Sequence, residues 1–216
     1  MKQPPQTVAV AFSGASGMPY GLRLVECLLG AGCNVWLLYS QVAQIVARQE
    51  MALELPSRPA DAEASLTQRF GAAPGRLRVF GREEWFAPLA SGSNPADAMV
   101  VCPCTMGTLA AIAAGLSQNL IERAADVAIK EGRKLVLVPR ETPFSAIHLE
   151  NMLKLARLGV VILPPNPGFY GHPRSIDDLV DFVVARVLDQ IGVPHALMRR
   201  WGGADDAKPS AGGAQT

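Results

Sequence analysis

The chain has 216 residues, 49% hydrophobic and 18% charged, with a formal net charge of +1. That length and composition suit one soluble globular domain with a sizeable core. The near balance of 20 basic and 19 acidic residues excludes a global field that would recruit nucleic acid or an anionic membrane, so an anionic ligand needs a local cluster of cations. The four cysteines, Cys27, Cys33, Cys102 and Cys104, form no CxxC pair and no zinc spacing, and read as packing thiols. The opening MKQPPQTVAV lacks the basic and long apolar segments of a signal peptide, and no apolar run reaches the roughly 18 residues of a membrane helix. The expected location is the cytoplasm.

In chain order, Thr7 to Ser13 reads as a buried parallel strand, broken by Gly14-Ala-Ser-Gly17. Pro19 suits a first helical turn, and Tyr20 to Leu29 has helical spacing that stops at Gly30 and Gly32. Val35 to Tyr39 is a second strand and Gln41 to Arg48 a second helix. Residues 52 to 78 show no regular period, and Trp85, Pro88 and the SGSNPAD stretch at 91 to 97 fall on loops. Further strands are expected at Met99 to Cys102, Leu135 to Val138 and Val160 to Leu163. Further helices are expected at Gly107 to Ala114, Glu122 to Lys130, Ile147 to Leu158 and Ser175 to Gly192. The alternation implies an α/β, Rossmann-like doubly wound parallel sheet with helices on both faces, in a single domain. From Gly202 the chain is poor in apolar residues and reads as a loose tail.

In such a sheet ligands bind at the carboxyl ends of the strands. The first loop, Ser13 to Gly21, has glycines that let backbone approach a ligand, a hydroxyl at Ser16, and a helix start that offers N–H groups to phosphate. It lacks G-x-G-x-x-G and the Walker lysine, and the second strand ends in Tyr39-Ser40 without the acidic residue that holds an adenine ribose. A monophosphate such as FMN fits better than NAD.

Arg123, Lys130, Arg140 and Arg186 fall near element ends, and Arg140 with Glu141 follows a strand, at the ligand edge. Tyr170 lies just beyond the last strand. Asp177-Asp178-Leu-Val-Asp181 matches the D-D-x-x-D pattern that holds magnesium on a diphosphate, but it occurs once and Ser175 with Asp178 makes a helix cap, which is the preferred reading. His148 at a helix start reads as packing or capping, and Trp85 and Trp201 as core or interface aromatics.

Ser13-Gly-Ala-Ser-Gly17 with Tyr20-Gly21-x-Arg23-Leu24 resembles the opening of the UbiX family of flavin prenyltransferases. So do Asn119 to Asp126, Leu137 to Pro143, Ile147 to Leu153, Pro167 to Tyr170 and Ser175 to Asp178, so that the resemblance spans roughly residues 7 to 201. It implies a metal-independent enzyme that joins a dimethylallyl group from dimethylallyl monophosphate to N5 and C6 of reduced FMN. The product would serve UbiD-type decarboxylases, and the enzyme would be a homo-dodecamer with sites at subunit interfaces. By the same resemblance Gly14, Ala15 and Ser16 hold the flavin phosphate, and Ser40 and the turn Thr105, Met106, Gly107 and Thr108 contact the flavin. Arg140 is shared between flavin and prenyl phosphate, while Arg123, Lys130, Tyr170 and Arg186 clamp the prenyl phosphate. Ser16, Glu50, Trp85 and Glu141 surround the reacting centre, and Trp85, Glu50 or Arg123 would serve a neighbour's flavin. Two other functions compete. A flavin-dependent cysteine decarboxylase would carry a histidine in the helix after the second strand, where residues 41 to 50 have none. A flavodoxin-like carrier would need no cations beyond those for its own flavin.

Overall fold

The computed structural model of the chain describes residues 5–198. The first four residues, Trp201 and the tail from residue 202 lie outside the described residues. The elements in chain order are β1 (Thr7–Phe12), α1 (Met18–Gly30), β2 (Asn34–Tyr39), α2 (Gln41–Met51), α3 (Pro59–Phe70), β3 (Leu77–Val79) and β4 (Ala98–Cys104). They continue with α4 (Met106–Ala113), α5 (Leu120–Lys130), β5 (Lys134–Pro139), α6 (Ala146–Arg157), β6 (Val161–Ile162) and α7 (Ile176–Ile191). The strands form one parallel sheet in the order β3-β2-β1-β4-β5-β6. The order reverses between β1 and β4, which opens a crevice outside their carboxyl ends.

The central strands are buried on both faces, and this is why they are continuous apolar runs. Val8, Val10 and Phe12 of β1 pack with α1 and α7 on one face. Ala9 and Ala11 of the same strand pack with α4, α5 and α6 on the other. Gly21 lets α1 approach the sheet, since a Cβ there would lie 2.5 Å from the carbonyl oxygen of Cys102. Cys33, Cys102 and Cys104 are buried and Cys27 is partly so, all as free thiols, and burial pushes the Cys102 and Cys104 thiols well above the ordinary range.

Every strand expected from the apolar runs is present. The structure adds α3 and β3 inside the stretch from 52 to 78 that carries no clear period. Within α3 only Ala62 and Leu66 are buried, and β3 is a three-residue edge strand, so neither needs a strong apolar stripe. The final strand is shorter than the run from 160 to 163, because only Val161 and Ile162 pair with β5. Among the described residues no helix is long and apolar enough to cross a membrane.

Candidate active site

The carboxyl ends of β1, β2, β4 and β5 converge through hydrogen bonds between their loops. Ser40 donates its hydroxyl to the carbonyl of Ser13 at 3.1 Å and accepts the N–H of Ala43, capping α2. Arg140 donates its backbone N–H to the carbonyl of Cys104 at 3.1 Å, which fixes the start of the loop after β5 against the end of β4. Thr105 caps α4, accepting the N–H of Thr108 at 3.1 Å and donating its hydroxyl to that of Thr108 at 2.9 Å. In that arrangement the Thr108 hydroxyl keeps its own proton for a ligand. Met106 is buried, and Gly107 is exposed, a Cβ there meeting only the Thr105 hydroxyl oxygen at 4.0 Å.

An open cleft of about 460 Å³ lies at this edge, and its lining includes Ser16, Gly17, Tyr20, Arg140, Glu141 and Phe144. Ser16, Arg140 and Glu141 are thus brought together as their positions after β1 and β5 predict. Burial raises the Tyr20 phenol above its ordinary value, so it remains a neutral hydrogen-bonding group.

The loop after β1 departs from expectation in one respect. The N–H groups of Gly17 and Met18 at the start of α1 are already taken by Glu50, whose carboxylate accepts them at 3.0 and 2.8 Å from the far end of α2. The positive end of the helix dipole is therefore matched by a carboxylate. This leaves the Gly14–Ser16 turn and the start of α4 as the places where a flavin phosphate and its ribityl chain would find donors. Gly14 has φ of 96° and a Cβ there would sit 2.8 Å from Val42, so the turn needs glycine both for its backbone and for its approach to α2. These residues fit a flavin mononucleotide.

The expected prenyl-phosphate residues do not all reach this cleft within one chain. Tyr170 packs edge-on against Phe182 of α7 at 5.7 Å, and Arg186 follows Phe182 by one turn on the same helix face, ion-paired to Asp189 at 2.6 Å. Arg123 donates to the carbonyl of Ala90 at 2.9 Å and pairs with Asp126. Lys130 pairs with Glu131 at the end of α5, just before β5 begins, whereas Arg140 lies just after β5 ends. At the rise of a strand, the six residues of β5 span about 20 Å between the two backbone positions. A single four-residue clamp is therefore not formed by one protomer.

The structure instead gives Arg123 and Lys130 a common neighbour in the loop that carries SGS. A Cβ at Gly92 would lie 2.7 Å from the Lys130 ammonium nitrogen and 2.0 Å from a Glu131 carboxylate oxygen. The turn through Ala90, Ser91 and Gly92 thus seats both side chains, and the glycine in SGS was the one available signal. Trp85 lies on the loop before the 3-10 turn Pro88–Ala90 and is half exposed, with Phe86 beside it fully exposed.

The acidic D-D-x-x-D residues divide among other tasks. Asp178 makes a capping box with Ser175, and the N–H groups of Arg174 and Ser175 hold its carboxyl below the usual range. Asp181 accepts a two-point contact from Arg23 at 2.7 and 3.2 Å, tying α7 to α1. His148 completes the capping box of α6 with Ser145.

The flavoprotein family model matches residues 1–188. The flavin prenyltransferase UbiX of Pseudomonas aeruginosa is 57% identical over 92% of this chain and 95% of its own length. Among solved structures, AnUbiX (PadA1) in complex with FMN and dimethylallyl pyrophosphate is 40% identical, with a TM-score of 0.82, covering 92% of this chain and 98% of that one. A dodecameric FMN-dependent UbiX-like decarboxylase from Escherichia coli O157:H7 is 44% identical, with a TM-score of 0.80 over 91% of this chain and 100% of that one.

Proposed function

Since the chain belongs to the UbiX-type flavin prenyltransferases of the flavoprotein family, we propose that its cleft joins a dimethylallyl group from dimethylallyl monophosphate to N5 and C6 of reduced FMN. The observation that carries the assignment of residues is the convergence of Ser16, Arg140 and Glu141 on one cleft beside the Gly14–Ser16 turn. Reduced FMN, when bound, supplies the electron-rich N5 and C6 positions that accept the five-carbon unit. Everything else falls to side chains. Gly14, Ala15 and Ser16 take the flavin phosphate, and Ser40 with Thr105, Met106, Gly107 and Thr108 seat the rest of the nucleotide. Ser40 has already committed its proton to Ser13, so it meets the flavin as an acceptor.

Cleavage of the allylic C–O bond leaves negative charge on the departing phosphate. Arg140 stands in the cleft to meet it, and Arg123, Lys130, Tyr170 and Arg186 complete the clamp, the role that a metal ion plays in other prenyl transfers. Because Lys130 and Arg140 stand at opposite ends of β5, the complete clamp requires a neighbouring subunit. Trp85, exposed on its loop, then offers its ring face to the allyl cation across the interface, a contact of about 0.5–2 kcal/mol. Bonding to N5 displaces the N5 proton, and closure at C6 needs the remaining double bond to take up a proton while C6 loses its own; Glu141, Ser16 or the departing phosphate would carry these protons.

The working unit is a homo-dodecamer in the cytoplasm that hands its product to a UbiD-type decarboxylase. The flavoprotein domain is assigned to residues 1–201, with 202–216 outside it. A cysteine decarboxylase would need a histidine that α2 does not carry, and a plain flavin carrier leaves the second set of cations without a task. Incubating the protein with reduced FMN and dimethylallyl monophosphate, in parallel with the diphosphate, is expected to raise the flavin mass by one C5 unit. An unchanged flavin mass with both donors overturns the reading.

A further inference from the structure

We infer that Ser13 is a positioning residue, holding the Thr105–Thr108 turn in the form that takes the flavin without touching the flavin itself; the inference rests on the reading of this edge as the flavin site. Ser13 is the first residue past β1 and is buried, one of only two buried polar or charged residues among those described. Its single hydroxyl serves the loop after β4 from both sides. It donates to the carbonyl of Pro103 at 3.2 Å and accepts the N–H of Thr105 at 2.7 Å, spanning the buried Cys104 between them. The Ser13 backbone N–H adds a second bond to Pro103, and its carbonyl accepts the Ser40 hydroxyl.

Three strand ends therefore meet, through side chain and backbone, at one residue that none of the ligand roles includes. The arrangement has a direction. The Thr105 N–H is committed to Ser13 and the Thr105 hydroxyl to Thr108, so of the two threonine hydroxyls that of Thr108 retains a proton to give away. Thr105 still caps α4 if Ser13 is lost, so the helix itself persists. What is lost is the register of that helix start against the Gly14–Ser16 turn, and with it the aim of the last hydroxyl.

Alanine at position 13 leaves the part-buried Thr105 N–H without its acceptor, and the turn must shift to find water. Ser13→Ala is expected to weaken FMN binding about tenfold in a fluorescence titration of the full chain. The expected kinetic pattern is a raised KM for reduced FMN, with kcat at saturating flavin and KM for dimethylallyl monophosphate both within about twofold of the parent. The discriminating measurement is a double-mutant cycle with Thr108→Val. If Ser13 acts through the Thr108 hydroxyl, Ser13→Ala in that background costs less than about threefold in affinity. Ser13→Cys fills the same space with a weak hydrogen-bonding group and carries the test if the alanine variant does not fold. Affinity within about twofold of the parent, or an undiminished loss in the Thr108→Val background, overturns the inference. Failure of both variants to fold makes Ser13 a residue of the core and overturns it too. A parent chain that does not bind FMN at all fails in a different way, since it sinks the flavin reading first.

Discussion

Glu50 reaches across from the end of α2 to the N–H groups of Gly17, just before α1, and Met18, its first residue, so its carboxylate is both a cap and a charge placed beside the Gly14–Ser16 turn. Glutamine can keep one oxygen for Gly17 and Met18 while removing the charge, whereas alanine removes both. Glu50→Gln is therefore expected to keep FMN affinity within about threefold, because the cap survives. It is expected to slow the second spectral phase of turnover, the closing of the ring, by about tenfold or more. Glu50→Ala is expected to loosen flavin binding as well. Stopped-flow spectra and a binding titration separate the two, and equal binding losses in both variants would remove the capping role. The residues beside β1 and β5 were legible in the sequence, because the end of a buried parallel strand announces the ligand edge. Glu50 was marked only by resemblance. Its contact with Gly17 spans 33 positions between helices, and no local pattern encodes such a meeting. Ser13 was hidden in another way, since a serine beside a glycine turn reads as turn chemistry and not as a bridge to residue 105.

At the level of elements, α7 shows how one motif can be read two ways. Its first turn carries Asp177 and Asp178, which could be taken for metal ligands, yet Ser175 and Asp178 satisfy each other's backbone N–H groups. Ser175→Ala is expected to cost about 1 kcal/mol of stability. Asp178→Ala is expected to lower the melting temperature at pH 7. Folding favours the ionised carboxylate here, since Arg174 and Ser175 donate to it and depress its pKa. Its contribution is thus present above the ordinary aspartate value of about 4 and is lost as pH falls through the depressed one. Melting curves of parent and Asp178→Ala should converge as the pH falls below the depressed value, and a gap that persists unchanged into strong acid would deny the linkage. Helix α3 and strand β3 escaped the sequence reading for the converse reason. They bury so little that their apolar period is faint, and tertiary contact with β2 and the sheet face defines them instead.

Across the whole molecule, the cations fall into separate groups on one chain: Arg140 at the carboxyl edge of the sheet, and Arg123 with Lys130 on α5 around the turn at Gly92. If neighbours complete each other's sites, Lys130→Ala and Arg140→Ala chains are each inactive alone but complement when mixed. In a random equal mixture about a quarter of the sites receive one intact cleft and one intact α5 group, so activity should return to about that fraction of the parent. Absence of recovery in verified mixed oligomers would place both residues in the same protomer's site. The length of β5 has a further consequence for populations of chains. A copy damaged in both places spoils the cleft it owns and the arm it lends, so a cell making half such copies would retain closer to a quarter than a half of its sites. Loss-of-function alleles in a shared-site catalyst of this kind would be partly dominant, although nothing about them is toxic.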